Sequence, residues 1–379
     1  MNVIVYVFST ATLLLAYTWL VYPALVWFLS HLFTRSVVPS ESAAKPSVSV
    51  ILPVHNEEKC LASKLQNCLE LQYPRDLLEI LVVSDHSTDS TERIAAEFAA
   101  HDPRIRLFRT QGRAGKSNAQ NLAAQQANGE ILFLTDANTR ARPDVIELLA
   151  SNFSDPRVGL AGATVHFSDP TNAIGTGQGL YWRYELFLRK AESALGILAT
   201  ASGAALAMRR SLFRPMQEMY GDDCILPLDV RLQHYRVLHD SRAVVLDGMP
   251  QSIEEELRAR VRMTTRNWTG TLSRPALLNP LRFPLTSWGL ISHKLLRWLT
   301  PFLLLLIFIA NIFLVMRGEY VALWLVQALF YSAAAVGWIR VRKSEGAGVF
   351  AHPFSFCLAN LGFLLGMIKA FRARRIVAY

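Results

Sequence analysis

The chain has 379 residues, 51% of them apolar, and a formal net charge of +9. The apolar excess lies at the two ends, around a middle that reads as a soluble domain, so a wholly soluble protein is excluded. The basic residues gather beside the apolar ends and form no run interleaved with aromatics, which favours an anionic membrane surface and excludes nucleic acid as a partner.

In chain order, Val3–Phe33 carries no charge and is long enough to span a bilayer. It lacks the positive start and small-residue cleavage site of a signal peptide. Arg35 and Lys45 follow it, which by the positive-inside rule places the amino terminus outside and the next domain in the cytosol. Ser36–Pro46 is a linker, so the domains divide as a leading span (1–35), a soluble domain (45–276) and an apolar remainder. Within the soluble domain strand and helix signals alternate. Strands are predicted at Val48–Leu52, Ile80–Val83, Ile105–Phe108 and Ile131–Leu134, and helices at Glu58–Leu71, Ser90–Ala100 and Ser117–Ala127. Such alternation predicts an α/β fold with a mostly parallel sheet. After Asp144 the pattern loosens. Gly159–Val165 and Ser202–Met208 read as strands, Arg236–Asp247 as a hairpin or paired strands, and Gly179–Ala194 and Ser252–Trp268 as helices.

From Leu277 the character changes. Phe283–Leu299 mixes Trp288, Trp298, His293, Lys294 and Arg297 with apolar residues and reads as an interfacial amphipathic helix, giving a segment 277–299. Thr300–Met316 and Tyr320–Trp338 read as spans, and Arg340, Arg342 and Lys343 mark the cytosolic side. Pro353–Phe371 is a third apolar segment within 300–379. A crossing there would put its basic tail outside, so it is either an exception to the rule or re-entrant or interfacial. The cysteines Cys60, Cys68, Cys224 and Cys357 show no metal or disulfide spacing and read as reduced thiols.

The strand ends carry the polar residues. Asn56/Glu57, Asp85, Asp136/Asn138 and Asp222/Asp223 lie at predicted strand ends, three of them on successive strands of one parallel sheet. Each alone reads equally well as a cap or turn. Together they converge on the sheet edge where open α/β folds bind ligands. Asp136, with Asn138 two residues on, supplies oxygen ligands for a hard divalent cation. Gly112-Arg-Ala-Gly-Lys-Ser117 is not a P-loop, since Thr110 stands where the first glycine belongs, but Arg113 and Lys116 flank a turn before a helix and suit a diphosphate. Adjacent carboxylates at Asp222-Asp223 repel, which raises one pKa and suits it to proton abstraction.

These stretches resemble the membrane-bound, cellulose-synthase-like group of family 2 glycosyltransferases. The resemblance rests on Pro53-x-x-Asn56-Glu57, Ser84-Asp85-x-Ser87-x-Asp89-x-Thr91, Arg113-Ala-Gly-Lys116, Asp136-Ala-Asn138, Ser202-Gly203 with Arg209-Arg210, and Asp222-Asp223. It implies a GT-A fold, a nucleoside-diphosphate-sugar donor (a UDP-sugar first) and inversion at the anomeric carbon. By the same resemblance Pro53, Asn56, Glu57 and Asp85 would serve base and ribose, Arg113 and Lys116 the diphosphate, and Asp136 and Asn138 Mg2+ or Mn2+. Asp223 would be the base with Asp222 beside it, and Ser202 and Gly203 would floor the acceptor site. The family usually has a second Asp where this chain has Asn138. Its processive members carry Gln-x-x-Arg-Trp where this chain has Ala259-Arg-Val-Arg262-Met263, with Arg266-Asn-Trp268 nearby as a displaced version. The expectation is a multi-pass cell-membrane enzyme, on a bacterial inner membrane, adding one or a few sugars to a lipid-linked or glycan acceptor at the cytosolic face. A processive exopolysaccharide synthase and a silent nucleotide-sugar-binding scaffold are the alternatives, and the trailing spans allow a homo-oligomer.

Overall fold

The computed structural model describes residues 3–34, 44–112, 114–167, 173–250, 252–343 and 345–376. Arg113 and most of the linker lie outside the described residues. One eight-stranded sheet runs through the soluble domain in the order β3-β2-β1-β4-β7-β6-β8-β5. Its strands are β1 (Val48–Val54), β2 (Leu78–Ser84), β3 (Ile105–Arg109), β4 (Ile131–Thr135), β5 (Arg140–Ala141), β6 (Val158–Phe167), β7 (Ala205–Arg209) and β8 (Arg236–Asp247). Near-continuous apolar runs such as Ile131–Leu134, buried along their whole length, are what a sheet covered on both faces requires.

β1 to β4 pair in parallel. β7 is antiparallel to β4 and to β6, and β8 is parallel to β6. The carboxyl ends of β1, β2, β4, β6 and β8 and the start of β7 therefore share one edge. The register Thr135↔Ala205 sets Ser202-Gly203 beside Asp136. The hairpin reading of Arg236–Asp247 is corrected: this is one strand interrupted by a bulge, where Ala163 pairs with Asp240 but Thr164 with Val244. Asp240 fixes the bulge by accepting from Arg242 N, Nε and Nη2 at 3.0, 2.9 and 2.7 Å.

The helices are α1 (Val3–Ala16), α2 (Tyr22–Leu32), α3 (Leu61–Leu69), α4 (Thr91–His101), α5 (Lys116–Gln126), α6 (Val145–Ser151) and α7 (Ala173–Leu195). They continue with α8 (Asp222–Leu232), α9 (Ile253–Leu272), α10 (Pro284–Gly289), α11 (Leu296–Val315), α12 (Val321–Arg342) and α13 (Ala351–Ile376). Among the described residues four stretches are long and apolar enough to cross a membrane: Val3–Leu32, Pro284–Val315, Val321–Arg342 and Gly348–Arg372. The first two each contain a π-helical turn, Tyr17–Val21 and Leu290–Leu295. The two turns meet: Tyr17 Oη lies 2.9 Å from Ser292 Oγ and accepts from Trp288 Nε1 at 2.9 Å. Such turns reorient a helix locally, and here they aim side chains into the domain.

The segment Phe283–Leu299 is not a helix of its own. α10, the π turn and α11 run on as one apolar helix, and its basic residues turn inward: His293 and Arg297 are each 2% exposed. At the other end α13 lies along α9. Its Gly362 and Gly366 permit the approach, since a Cβ there would stand 2.7 Å from Arg260 Cβ and 2.6 Å from Thr264 Cβ. The carboxyl-terminal apolar segment is thereby fastened to the same charged helix that lines the site.

Candidate active site

The first two strand-end loops lock each other. Asn56, at φ 54°, accepts from Thr88 N at 2.8 Å through Oδ1. Glu57 N donates to Thr91 Oγ1 at 2.8 Å and Glu58 N to Asp89 Oδ2 at 3.2 Å. Much of the Ser84–Thr91 motif thus holds loop against loop. Asp85, 7% exposed, accepts from Gly115 N at 2.7 Å and Thr110 Oγ1 at 2.9 Å, and so fixes the turn before α5. Gly115 is required there, because a Cβ would lie 2.2 Å from Glu218 Oε2. Pro53, Asn56, Glu57 and Asp85 stand at the ends of β1 and β2, outside the lining of the cavity described next.

That cavity holds about 630 Å3. Lys116, Asp136, Asn138, Ser202, Gly203, Asp222, Asp223, Arg262 and Arg266 line it, as the sequence grouped them. At its centre Lys116 Nζ bridges Asp136 Oδ1 at 2.6 Å and Asp222 Oδ2 at 2.9 Å. Burial works against the lysine's charge, but Asp222 and Asp136 outweigh it and hold its pKa above the ordinary value. The adjacent acids split. Burial would raise Asp222, yet Lys116 and Gln120, whose Nε2 donates to it at 2.7 Å, bring it below the usual carboxylate range. Asp223 is pushed above that range by burial and then by Asp222's charge. One carboxylate is held ionised and its neighbour is made basic, on the first turn of one helix rather than at the expected strand end. Arg266 Nε donates to Tyr220 O at 3.0 Å and so secures the backbone leading into Asp222.

Three residues here escaped the sequence reading. Asp247, at the end of β8, accepts from Asn138 Nδ2 at 3.3 Å. Burial raises its pKa, and Asp136's charge raises it further. Gln120 is the second. The third is Lys64, 3% exposed beneath the Asp136–Asn138 turn, where Nζ donates to Thr135 Oγ1, Thr139 O and Thr139 Oγ1 at 2.9, 2.9 and 3.0 Å. Burial lowers the Lys64 pKa. A signal existed for two of them: Asp247 ends an apolar strand as Asp136 does, and Lys64 interrupts the apolar face of Leu61, Leu65 and Cys68.

The helices line the cavity too: α7, the π turn, α11 and α13 contribute Arg189, Lys294, Arg297, Trp298 and Phe363. Trp268, read from sequence on the acceptor side, is not in this lining. Its ring packs edge-on against Trp298 at 6.0 Å and Phe371 at 5.8 Å between centroids. The positions of the processive motif face the cavity as Ala259, Arg262 and Met263.

Residues 49–216 match the family model described as glycosyl transferase family 2. The probable glycosyltransferase YdaM of Bacillus subtilis is 29% identical over 235 residues, which are 59% of this chain and 55% of that protein. A poly-beta-1,6-N-acetyl-D-glucosamine synthase of Staphylococcus epidermidis is 25% identical over 238 residues, 61% of this chain and 57% of that one. The match thus spans little more than half the length of these relatives. The mannosyltransferase PcManGT from Pyrobaculum calidifontis, solved with GDP-Man and Mn2+, superposes with a TM-score of 0.74 at 23% identity, covering 96% of this chain and 99% of that one. The likeness is one of fold, and it includes the flanking helices as well as the GT-A sheet. Residues 49–216 thus carry a family 2 glycosyltransferase domain.

Proposed function

We propose that the chain is a membrane-embedded inverting family 2 glycosyltransferase. It takes a nucleoside-diphosphate sugar from the cytosolic side and adds one or a few sugars to a lipid-linked or glycan acceptor. The observation that carries the reading is the split acid pair beside a doubly bridged lysine, all in a cavity lined in part by the apolar helices.

In one displacement an acceptor hydroxyl oxygen attacks the anomeric carbon. Asp223, made basic by burial and by Asp222, takes the hydroxyl proton. The bond to the donor's diphosphate oxygen breaks with its electron pair, and the Lys116 ammonium stands where that negative charge accumulates. Ser202 and Gly203 form the adjacent floor. A Cβ at Gly203 would lie 3.3 Å from Asp222 Oδ1, so the missing side chain keeps the acid pair accessible. Ala259 and Met263, in place of the processive motif's Gln and Trp, support short products.

The donor set around Asp136 fits a hard divalent cation. Asp136, the Asn138 amide and Asp247 offer oxygen donors, and Asp136's charge adds to the burial that raises Asp247, a repulsion a cation would relieve. Among the described residues no group of three His, Cys, Asp or Glu is set to hold a metal by itself. The donor's phosphates would therefore complete the shell. Mg2+ or Mn2+ bound there would neutralise diphosphate charge.

The test is transfer from a nucleotide-sugar panel, UDP-sugars and GDP-mannose included, by the full chain in nanodiscs. Asp223→Asn is expected to lose about 10²–10⁴-fold of the transfer rate while donor-dependent thermal stabilisation persists. Wild-type transfer by Asp223→Asn would overturn the base assignment. Absence of stabilisation by every donor would overturn the reading as a whole.

A further inference from the structure

Arg297 on α11 is 2% exposed, and Arg189 on α7 is 9% exposed. Both line the catalytic cavity, as does Lys294. Arg297 Nη1, Lys294 Nζ and Arg189 Nε all converge on Glu185, the last two at 2.9 and 3.0 Å. Glu192, two turns further along α7, is taken by Tyr22 Oη at 2.6 Å and His293 Nδ1 at 2.7 Å. Three fixed cations thus share one carboxylate. Arg297 Nε and Nη2 and Arg189 Nη1 are buried and have no hydrogen-bond partner among the described residues. Buried guanidinium donors are costly to leave unmatched unless an anion meets them. The lysine at the donor end, Lys116, is already bridged to two carboxylates, so these cations form a second and separate anion-binding surface.

Aromatic rings flank the second surface. Arg297's guanidinium stacks on Trp19, Tyr181 and Tyr184, at 5.3, 5.8 and 5.2 Å from the ring centroids. Those three rings line a different cavity of about 860 Å3, together with apolar residues of α1, α12 and α13 such as Leu15, Phe330 and Phe356. Tyr181 and Arg260 line both cavities. The apolar cavity thus shares Tyr181 and Arg260 with the catalytic one, lies among helices able to cross a membrane, and is bordered by the three rings that hold the Arg297 guanidinium. Arg189's charge also reaches Asp223, which places the anion surface next to the base.

We infer that the acceptor is a phosphate-bearing lipid, its anionic head on Arg189, Lys294 and Arg297 and its hydrocarbon chain in the apolar cavity between α1, α12 and α13. This rests on the glycosyltransferase reading above and narrows its acceptor. The phosphate positions the lipid, and the nucleophile is a hydroxyl carried on the same headgroup. Its proton passes to Asp223 as the new bond to the anomeric carbon forms and the nucleoside diphosphate departs with the bonding pair.

The experiment measures lipid binding to the full chain in detergent by native mass spectrometry. The probes are a polyprenyl phosphate, the matching polyprenol, dioleoyl phosphatidic acid and dioleoylglycerol. At least one phosphate-bearing probe is expected to bind about tenfold or more tightly than its neutral partner. Whichever pair shows the gap tells an isoprenoid carrier from a glycerophospholipid. Arg189→Gln is expected to close that gap and leave donor stabilisation unchanged. Ser355→Trp, which fills the apolar cavity from α13 without touching the cations, is expected to weaken the bound lipid several-fold. Equal binding of charged and neutral partners overturns the inference, as does an unchanged gap in Arg189→Gln, or a loss of donor affinity there that assigns the cations to the donor. If donors stabilise the chain while these lipid results fail, only the acceptor is wrong; if no donor stabilises it, the underlying reading fails as well.

Discussion

Two ion networks line the same cavity, and they are built to opposite ends. At the sheet edge, Lys116 and Asp136 keep about a third of their side chains exposed, and the acid pair is split so that Asp223 resists ionisation. At the helix junction, Glu185 is 3% exposed and collects His293, Lys294, Arg297 and Arg189, which together overcome the cost of its burial and hold it well below the carboxylate range. The first network keeps charge open to a ligand. The second spends its carboxylate on joining α7 to the long apolar helix. The difference teaches that a buried carboxylate's role is read from its neighbours: among cations it fastens the fold, and beside another acid it stores reactivity.

The sharpest way to break the comparison is Glu185→Gln. An amide leaves Arg297, Lys294 and Arg189 without their counter-charge, which for a dry network costs about 3–5 kcal/mol. The expected outcome is a collapse in detergent-stable yield and a large fall in melting temperature, read by thermal unfolding. A variant as stable as the parent would show that the junction is not held by this carboxylate.

The next effect is smaller and depends on pH. His239 lies on β8, with Thr164 Oγ1 at 3.2 Å from Nε2. Burial lowers its pKa to about 4, with Arg189 as the next cause, Lys190 also lowering it, and Asp240 and Glu185 opposing. The unfolded imidazole takes up its proton near the ordinary value of 6.5, before the folded one does. Stability is therefore complete above pH 6.5 and is lost as pH falls from there toward 4, by on the order of 2–3 kcal/mol. His239→Gln is expected to flatten the melting temperature over that window, whereas an unchanged slope would assign the loss to other groups.

These two predictions also mark what the sequence could carry. The donor edge was legible because each motif is short: Asp136-Ala-Asn138 follows a strand, whereas Asp222-Asp223, expected at a strand end, opens α8 on the same cavity. The junction was not. Glu185 and His293 are 108 positions apart, and Lys294, Arg297 and the tryptophans have the composition of a headgroup-level helix whichever way they face. Composition does not tell a cation that points to lipid from one that points to a carboxylate in the next helix. Asp247 fell between the cases: its strand end was visible, but its partner Asn138 lies 109 positions back.

Asn138→Asp tests the metal side of the donor edge. It sets a third carboxylate beside Asp247 and Asp136, so without a cation the three repel, and with one they bind it more tightly. The expected result is a roughly tenfold lower Mn2+ concentration for half-maximal thermal stabilisation, about 1.4 kcal/mol in binding, with a lower melting temperature in chelator. Equal metal response in both forms would remove Asn138 from the ligand set.

The smallest expected effect is the most discriminating, because it reverses the sign of the first. Asp223's folded pKa is raised, so the folded state holds its proton at pH values where the unfolded carboxyl has released it. Stability attributable to this group is present below the ordinary carboxylate pKa and declines as pH rises through the folded value. At neutral pH an ionised Asp223 therefore costs stability, and Asp223→Asn, which removes the charge and keeps the shape, should raise the melting temperature by a few degrees, about 1 kcal/mol. The same carboxylate-to-amide exchange would then unfold the protein at Glu185 and stabilise it at Asp223. If Asp223→Asn instead melts lower than the parent at pH 7 and the gap does not narrow on acidification, its carboxylate belongs with Glu185 among the fasteners, and the base must be sought elsewhere on the cavity wall.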